Sequence, residues 1–374
     1  MNRLRTLLGT TALLLLFSCA TTIPVKVRKP AEFNVGAIRT LAVSDFQFKG
    51  NWDFSADEKP GSAAAKKLLR ALMKKRKGEL NPYKAYPGSM VSDKLTAKLV
   101  DNGYYTVVER KKLETLLKEQ SLSLSGLVEP EQALEVGRMI GAGGLLTGSG
   151  SYSVKDIGAW EEYTETKKNK KGEKIKITKK RYRISRFVQA ELTYRLIDLS
   201  TGKILVSKSN RLANYSAGGL KGIDRKGYYT ATGKDEHSAS AGLPDWHGIV
   251  DKLVDALNQK CVTQIAPHTV TEKRKIAEGK SEAMEKAVKL VKRDLWEDAR
   301  RIWENTLQNP PSEEDKLAAL YNLGVYAEVF GFLDQAGQKY KQCFELSGDE
   351  DYLDDLARVR KRKKELQRLR AQEL

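Results

Sequence analysis

Gly137-Arg138-Met139-Ile140-Gly141-Ala142-Gly143-Gly144-Leu145-Leu146-Thr147-Gly148-Ser149 reads as the end of a helix, a glycine turn and the start of a buried strand. Pro130 opens that helix at a favoured first-turn position, and Gly141 ends it. The strand runs from Leu145 to Val154. Glycines in this order cannot form a dinucleotide-binding loop, which follows a strand and opens a helix. They serve as a helix cap and as points of close strand packing. Working towards the N-terminus, Glu109–Glu119 is an amphipathic helix with Leu113, Leu116 and Leu117 on one face. Tyr104–Val108 is a β-branched and aromatic strand. Met90–Val100 is a helix stopped by Asn102-Gly103, and Thr40–Phe46 is apolar almost throughout, as a central strand covered on both faces would be. Strands and helices alternating in this way predict an α/β domain.

The ordered set Thr40–Phe46, Val107-Val108-Glu109-Arg110, Leu116–Gln120, Gly137–Ala142 and Leu145–Ser149 resembles the curli secretion channel family, the CsgG/HfaB-like envelope lipoproteins. The resemblance continues through Leu192–Asp198 and Ser200–Leu205, a strand, a tight turn and a second strand. It implies a small mixed-sheet α/β domain over residues 38–265, interrupted by basic insertions at 49–87 and 155–186. It also implies an N-terminal lipid and a position at the outer membrane, facing the periplasm. In that family two hairpins per subunit build a membrane barrel, and the matching stretches here are Tyr152–Phe187 and Asn210–Leu243. A lipid-facing strand needs about 9–11 residues with every second one apolar. Lys174, Lys176 and Lys180 interrupt one face of the first stretch, and Lys179, Arg181 and Arg183 interrupt the other. Both stretches are therefore expected to be soluble hairpins or loops.

The N-terminus carries Arg3 and Arg5, then the apolar run Leu7–Phe17, then Ser18-Cys19. The run is too short for a membrane-spanning helix and fits a cleaved signal over residues 1–18. Ser18-Cys19 resembles the lipobox of bacterial lipoproteins, which makes Cys19 the lipidation site and the membrane anchor. Residues 19–37, with Pro24 and Pro30, read as a tether, and 266–279 as a linker.

The C-terminal third is all-α, a helical-repeat domain. Ala287, Leu290, Ala299, Trp303 and Thr306 recur 37 residues later as Gly324, Ala327, Ala336, Tyr340 and Cys343. This resembles two tetratricopeptide repeats over 280–350, closed by a capping helix over 351–374. Trp303, Tyr321, Asn322 and Tyr340 are the expected partner-binding residues of the repeats.

The 374-residue chain has a formal net charge of +18. In an exported protein this charge points to anionic lipid or peptidoglycan rather than nucleic acid. One amphipathic stretch, Ala63–Lys77, sets a basic face with Lys66, Lys67, Arg70 and Lys74 beside an apolar stripe, suiting a membrane surface. No catalytic, metal or cofactor constellation emerges: His237, His247 and His268 are scattered, and Cys261 and Cys343 fall in different domains. The expectation is a noncatalytic outer-membrane scaffold or accessory in export or surface assembly. Its repeats would bind an envelope or secreted protein, and the chain could pair with copies of itself. The alternatives are a subunit of an oligomeric secretion channel and a regulator of peptidoglycan synthesis.

Overall fold

The computed structural model describes residues 21–56, 86–108, 115, 130–213 and 227–373. The chain divides into two units, Ala31–Pro267 and a second that joins the chain up to Pro30 with His268–Leu374. Strand β1 (Thr21–Lys29) belongs to the second unit.

The first unit runs β2 (Thr40–Val43), β3 (Gln47–Ala56), α1 (Gly88–Asn102), β4 (Thr106–Val108), α2 (Pro130–Ile140), β5 (Gly144–Lys168), β6 (Lys174–Asp198), β7 (Ile204–Ala213), β8 (Tyr229–Gly233), α3 (Glu236–Ala241) and α4 (Trp246–Ile265). Its mixed sheet has the order β4-β2-β5-β6-β7, with β3 also along β5 and β8 also along β6. Strand β2 is parallel to β4 and β5, β3 is parallel to β5, and β6 is antiparallel to β5, β7 and β8. Side-chain alternation sends Leu41, Val43 and Leu146 to a core shared with Leu95 and Leu99 of α1 and Leu253 and Leu257 of α4. The opposite face sends Ala42, Leu145 and Ile197 against Val136 and Ile140 of α2. Both faces of β2 are thus covered, which accounts for its unbroken apolar run.

The glycines of the opening stretch have the expected structural uses. Gly141 caps α2 with φ 72°, and its N–H donates to the Gly137 carbonyl at 3.0 Å. At Gly148 a Cβ would lie 2.3 Å from the Phe46 ring and 2.4 Å from the Thr193 carbonyl oxygen, so no side chain fits between them.

The second unit adds β9 (His268–Ile276), α5 (Glu282–Val291), α6 (Trp296–Gln308), α7 (Glu313–Val329), α8 (Leu333–Ser347) and α9 (Asp351–Glu373). Four of the five positions that repeat at 37 residues are buried alike: Ala287, Ala299, Trp303 and Thr306 in α5 and α6, then Gly324, Ala336, Tyr340 and Cys343 in α7 and α8; of the fifth pair, Leu290 is half-buried and Ala327 buried. Val359 and Leu369 of α9 are buried, whereas Leu353 is exposed.

Three boundaries differ from the sequence reading. Within the expected tether, β1 pairs antiparallel with β9, from Thr21↔Ile276 to Lys29↔His268. The expected linker supplies β9. Alternation is the cause: Ile23 and Val25 point into the helical core with Ile276, Met284 and Trp303, and Pro24 is tolerated because a two-stranded ribbon leaves strand edges free. The third difference concerns the insertions. Residues 49–56 of the first continue β3, while 57–85 lie outside the described residues. The second is the outer part of β5 and β6, two strands of 25 residues each that stay paired to Lys168↔Lys174. The helix expected at Glu109–Glu119 also lies outside the described residues, apart from Thr115.

Candidate functional site

Of the residues singled out from sequence, Cys19, Lys66, Lys67, Arg70 and Lys74 lie outside the described residues. The four expected to bind a partner through the repeats are instead core residues. Trp303 and Tyr340 are fully buried between helices, and Tyr321 packs its ring 5.6 Å from that of Tyr340. Asn322 is buried and clamps the backbone of Ala277, accepting from its N–H and donating to its carbonyl, each at 2.8 Å. Large aromatic side chains at close-approach positions are consumed by helix packing, so none of the four is available to a ligand.

What the helical unit does expose is a groove of about 600 Å³ lined by α6, α7 and α8. Its wall carries Glu297, Arg300 and Glu304 on α6, Tyr326 on α7, and Gln335 and Lys339 on α8. Arg300 donates to Glu297 at 3.0 Å and to Glu304 at 2.6 Å, with its guanidinium 5.7 Å from the Tyr326 ring centroid. The Tyr326 hydroxyl donates to Glu297. That bond and Arg300 hold the Glu297 carboxyl below its usual range. Phe332 lines the groove and is 49% exposed; Phe330, across Gly331 with φ 84°, lies beside it and is 45% exposed. Phe330 is braced by Tyr326 at 4.6 Å and by Trp296 at 6.0 Å between centroids. Sequence reading passed over these residues, although two phenylalanines in a two-helix turn are a legible signal. The groove sets the exposed Phe332 ring beside mixed charges, with the braced Phe330 ring next to it.

Behind it lies a buried ionic cluster. Glu328 accepts from Arg274 at 2.9 Å, from Arg358 at 2.8 Å and from the Tyr340 hydroxyl at 3.1 Å. Burial works to raise the Glu328 carboxyl, yet the hydrogen bond and charge of Arg358, with the charge of Arg274, hold it below the usual range. The cluster ties β9 and α9 to α7, and the burial of Glu328, Arg274 and Tyr340, with Arg358 partly exposed, gives it a structural use.

The first unit presents a different surface. Beyond Gly158, the last partner of β3, and Tyr182, the last partner of β8, strands β5 and β6 continue as a ribbon of two strands among the described residues. Where it leaves the body, Asp156 accepts from Arg186 at 2.8 and 2.7 Å and from Trp52 at 3.3 Å. Further out, Glu161 pairs with Arg181 at 2.6 Å and Arg183 at 3.3 Å, and Glu162 pairs with Lys180 at 3.3 Å. The turn is closed by Asn169, whose carbonyl side-chain oxygen accepts from the N–H groups of Lys171 and Glu173.

Both described cysteines are free and buried. Burial pushes the Cys261 thiol up and the Cys343 thiol up to about 12, so neither is poised as a nucleophile.

Among solved structures, the LpoB C-terminal domain from Salmonella enterica is 16% identical, covering 48% of this chain and 84% of that one at a TM-score of 0.21. Lipoprotein GNA1162 from Neisseria meningitidis is 10% identical, covering 60% and 98% at 0.23. The PelC dodecamer from Paraburkholderia phytofirmans is 14% identical, covering 66% and 99% at 0.20. No curated protein matches the chain in sequence. Residues 285–368 match a family described as a domain of unknown function, DUF6340. Residues 74–284, more than half of the chain, match the curli production assembly/transport component CsgG, and the chain belongs to that family.

Proposed function

We propose that this protein is a noncatalytic lipoprotein held in the outer membrane by Cys19 and facing the periplasm. It acts as a scaffold or accessory in export or surface assembly. Its helical unit, read as two tetratricopeptide-like repeats and a cap, grips a protein partner. The observation that carries the reading is the groove of α6, α7 and α8, with Phe332 exposed in its lining and Phe330 exposed beside it, packed on the groove residue Tyr326. The Phe330 ring, already braced by Tyr326 and Trp296, loses little freedom on binding, which is what a binding hot spot needs. Family membership supports an envelope component, and Ser18-Cys19 supports the anchor. Only Ala20 separates Cys19 from β1, so in this reading the anchor is joined directly to the helical unit.

Two measurements test it. Cys19→Ala should abolish acyl labelling and release the protein from the membrane fraction; retained label would end the anchor reading. A photocrosslinking side chain at Lys339, in the groove, should capture a partner that the same group at Lys203, in the other unit, does not. Capture should fall at least ten-fold in the Phe330→Ala/Phe332→Ala variant, the loss expected when about 2 kcal/mol of hot-spot contact is removed. Capture unchanged by those substitutions would overturn the groove as the binding surface.

A further inference from the structure

The two faces of the β5–β6 ribbon are charged differently. In an antiparallel pair, directly opposed residues share a face. One face carries Tyr163↔Lys179, Glu165↔Ile177 and Lys167↔Ile175. Here Glu165 pairs with Lys179 at 2.5 Å and lies 3.9 Å from Lys167, so the charges are largely compensated. The other face carries Thr164↔Thr178, Thr166↔Lys176 and Lys168↔Lys174. Lys168 and Lys174 are like charges set directly against each other, an arrangement that destabilises a strand pair. Lys176 lies one pair away, all three are exposed, and none makes an ion pair within the described residues. Lys170 and Lys171 occupy the turn itself, and the nearby acid, Glu173, is engaged by the Asn169 amide at 2.8 Å. The ribbon carries this uncompensated end about 26 Å beyond Trp160↔Tyr182, at roughly 3.3 Å per residue.

We propose that the lysine face at the end of this ribbon docks on the phosphate headgroups of an anionic membrane surface, and this rests on the envelope reading given above. Several lysines clustered on one exposed face gain most from a surface of many anions, because each then contributes additively. The neighbouring threonine hydroxyls at 164, 166 and 178 are donors of a kind that phosphate oxygens accept. Ile175 is the large apolar side chain exposed at this level, too little for insertion, so contact stays at the headgroups.

The test uses the full mature chain carrying Cys19→Ala, so that no acyl group contributes, and vesicles of phosphatidylcholine with and without equal phosphatidylglycerol. Sedimentation should show binding only with phosphatidylglycerol, weakening as salt rises. Lys168→Gln/Lys174→Gln/Lys176→Gln should lower the partition on the order of 100-fold, about five-fold per lysine. The matching arginine substitutions should retain it. Lys179→Gln with Glu165→Gln, on the other face and without change of net charge, should leave it as it was. The proposal is overturned if the parent chain ignores anionic vesicles or binds neutral ones equally. It is also overturned if the glutamine variant binds as the parent does, or if those lysines matter for isolated peptidoglycan but not for vesicles. Acyl labelling at Cys19 is read separately, so failure of the anchor and failure of the ribbon are distinct results.

Discussion

Glu272 shows what a single carboxylate does in the second unit. It accepts from Lys29 of β1 at 2.7 Å and from Arg274 at 2.7 Å, joining the strand nearest the proposed anchor to the ionic cluster. Burial works to raise its carboxyl, but these two cations bring it down to about 2 from an ordinary 4.5. Because the folded-state value is the lower one, its contribution is complete above about pH 4.5 and is lost as pH falls towards about 2. Amide exchange in β1 and β9, corrected for intrinsic rate, should therefore show protection falling across that window. Glu272→Gln should flatten the dependence while lowering protection at neutral pH; an unchanged titration would remove Glu272 from the account. Charged residues of this kind are visible in sequence, but their partners are not. Arg274 and Glu328 are 54 positions apart, and only the fold brings them within 2.9 Å. The same limit misassigned Trp303, Tyr321, Asn322 and Tyr340: residue type suggested contact surfaces, and burial made them core.

Elements were legible where a period was clean and their ends were marked. Helix α1 ends at Gly103 with φ 73°, as Asn102-Gly103 indicates, and α2 starts at Pro130. Helix α4 carried equal signal and was passed over: Asp245 caps it by accepting from the Gly248 N–H at 3.2 Å, and Ile249, Val250, Leu253, Val254 and Leu257 form its buried stripe. Strands β1 and β9 were harder, because an isolated pair of strands is marginal by itself and forms here against helices. Close helix approach gives the sharpest test at this scale. At Gly324 of α7 a Cβ would lie 2.8 Å from the Tyr340 ring, and Ala336 of α8 is fully buried. Ala336→Arg would place an unpaired charge in that core, with a cost of several kcal/mol or more. Limited proteolysis should then degrade the helical unit while the fragment Ala31–Pro267 survives. Loss of both units together, or survival of the helices, would contradict their independence.

At the scale of the whole molecule, the chain passes between its two units at Pro30–Ala31 and Pro267–His268, so the helical unit is built from both ends of the described sequence. The ribbon of the other unit bears on the channel alternative. Paired charges on both of its faces, Glu161 with Arg181 on one and Glu162 with Lys180 on the other, would each cost about 2–4 kcal/mol at mid-bilayer before pairing is counted. Acylated protein purified in detergent should accordingly give no stepwise conductance in planar bilayers; steps arising from ring-shaped particles would restore the channel reading to first place. The α/β domain, the all-helical C-terminal region and the family are legible in the chain alone, because each rests on short-range periodicity and on glycine or proline at fixed offsets. Tertiary structure alone decided that the presumed tether and linker are one strand pair, that the presumed basic insertion is a continuous ribbon, and that the repeat aromatics are interior. Those outcomes depend on partners outside the local window, from Tyr321 with Tyr340 to Lys29 with Glu365 at opposite ends of the chain, and local propensity carries no record of such partners.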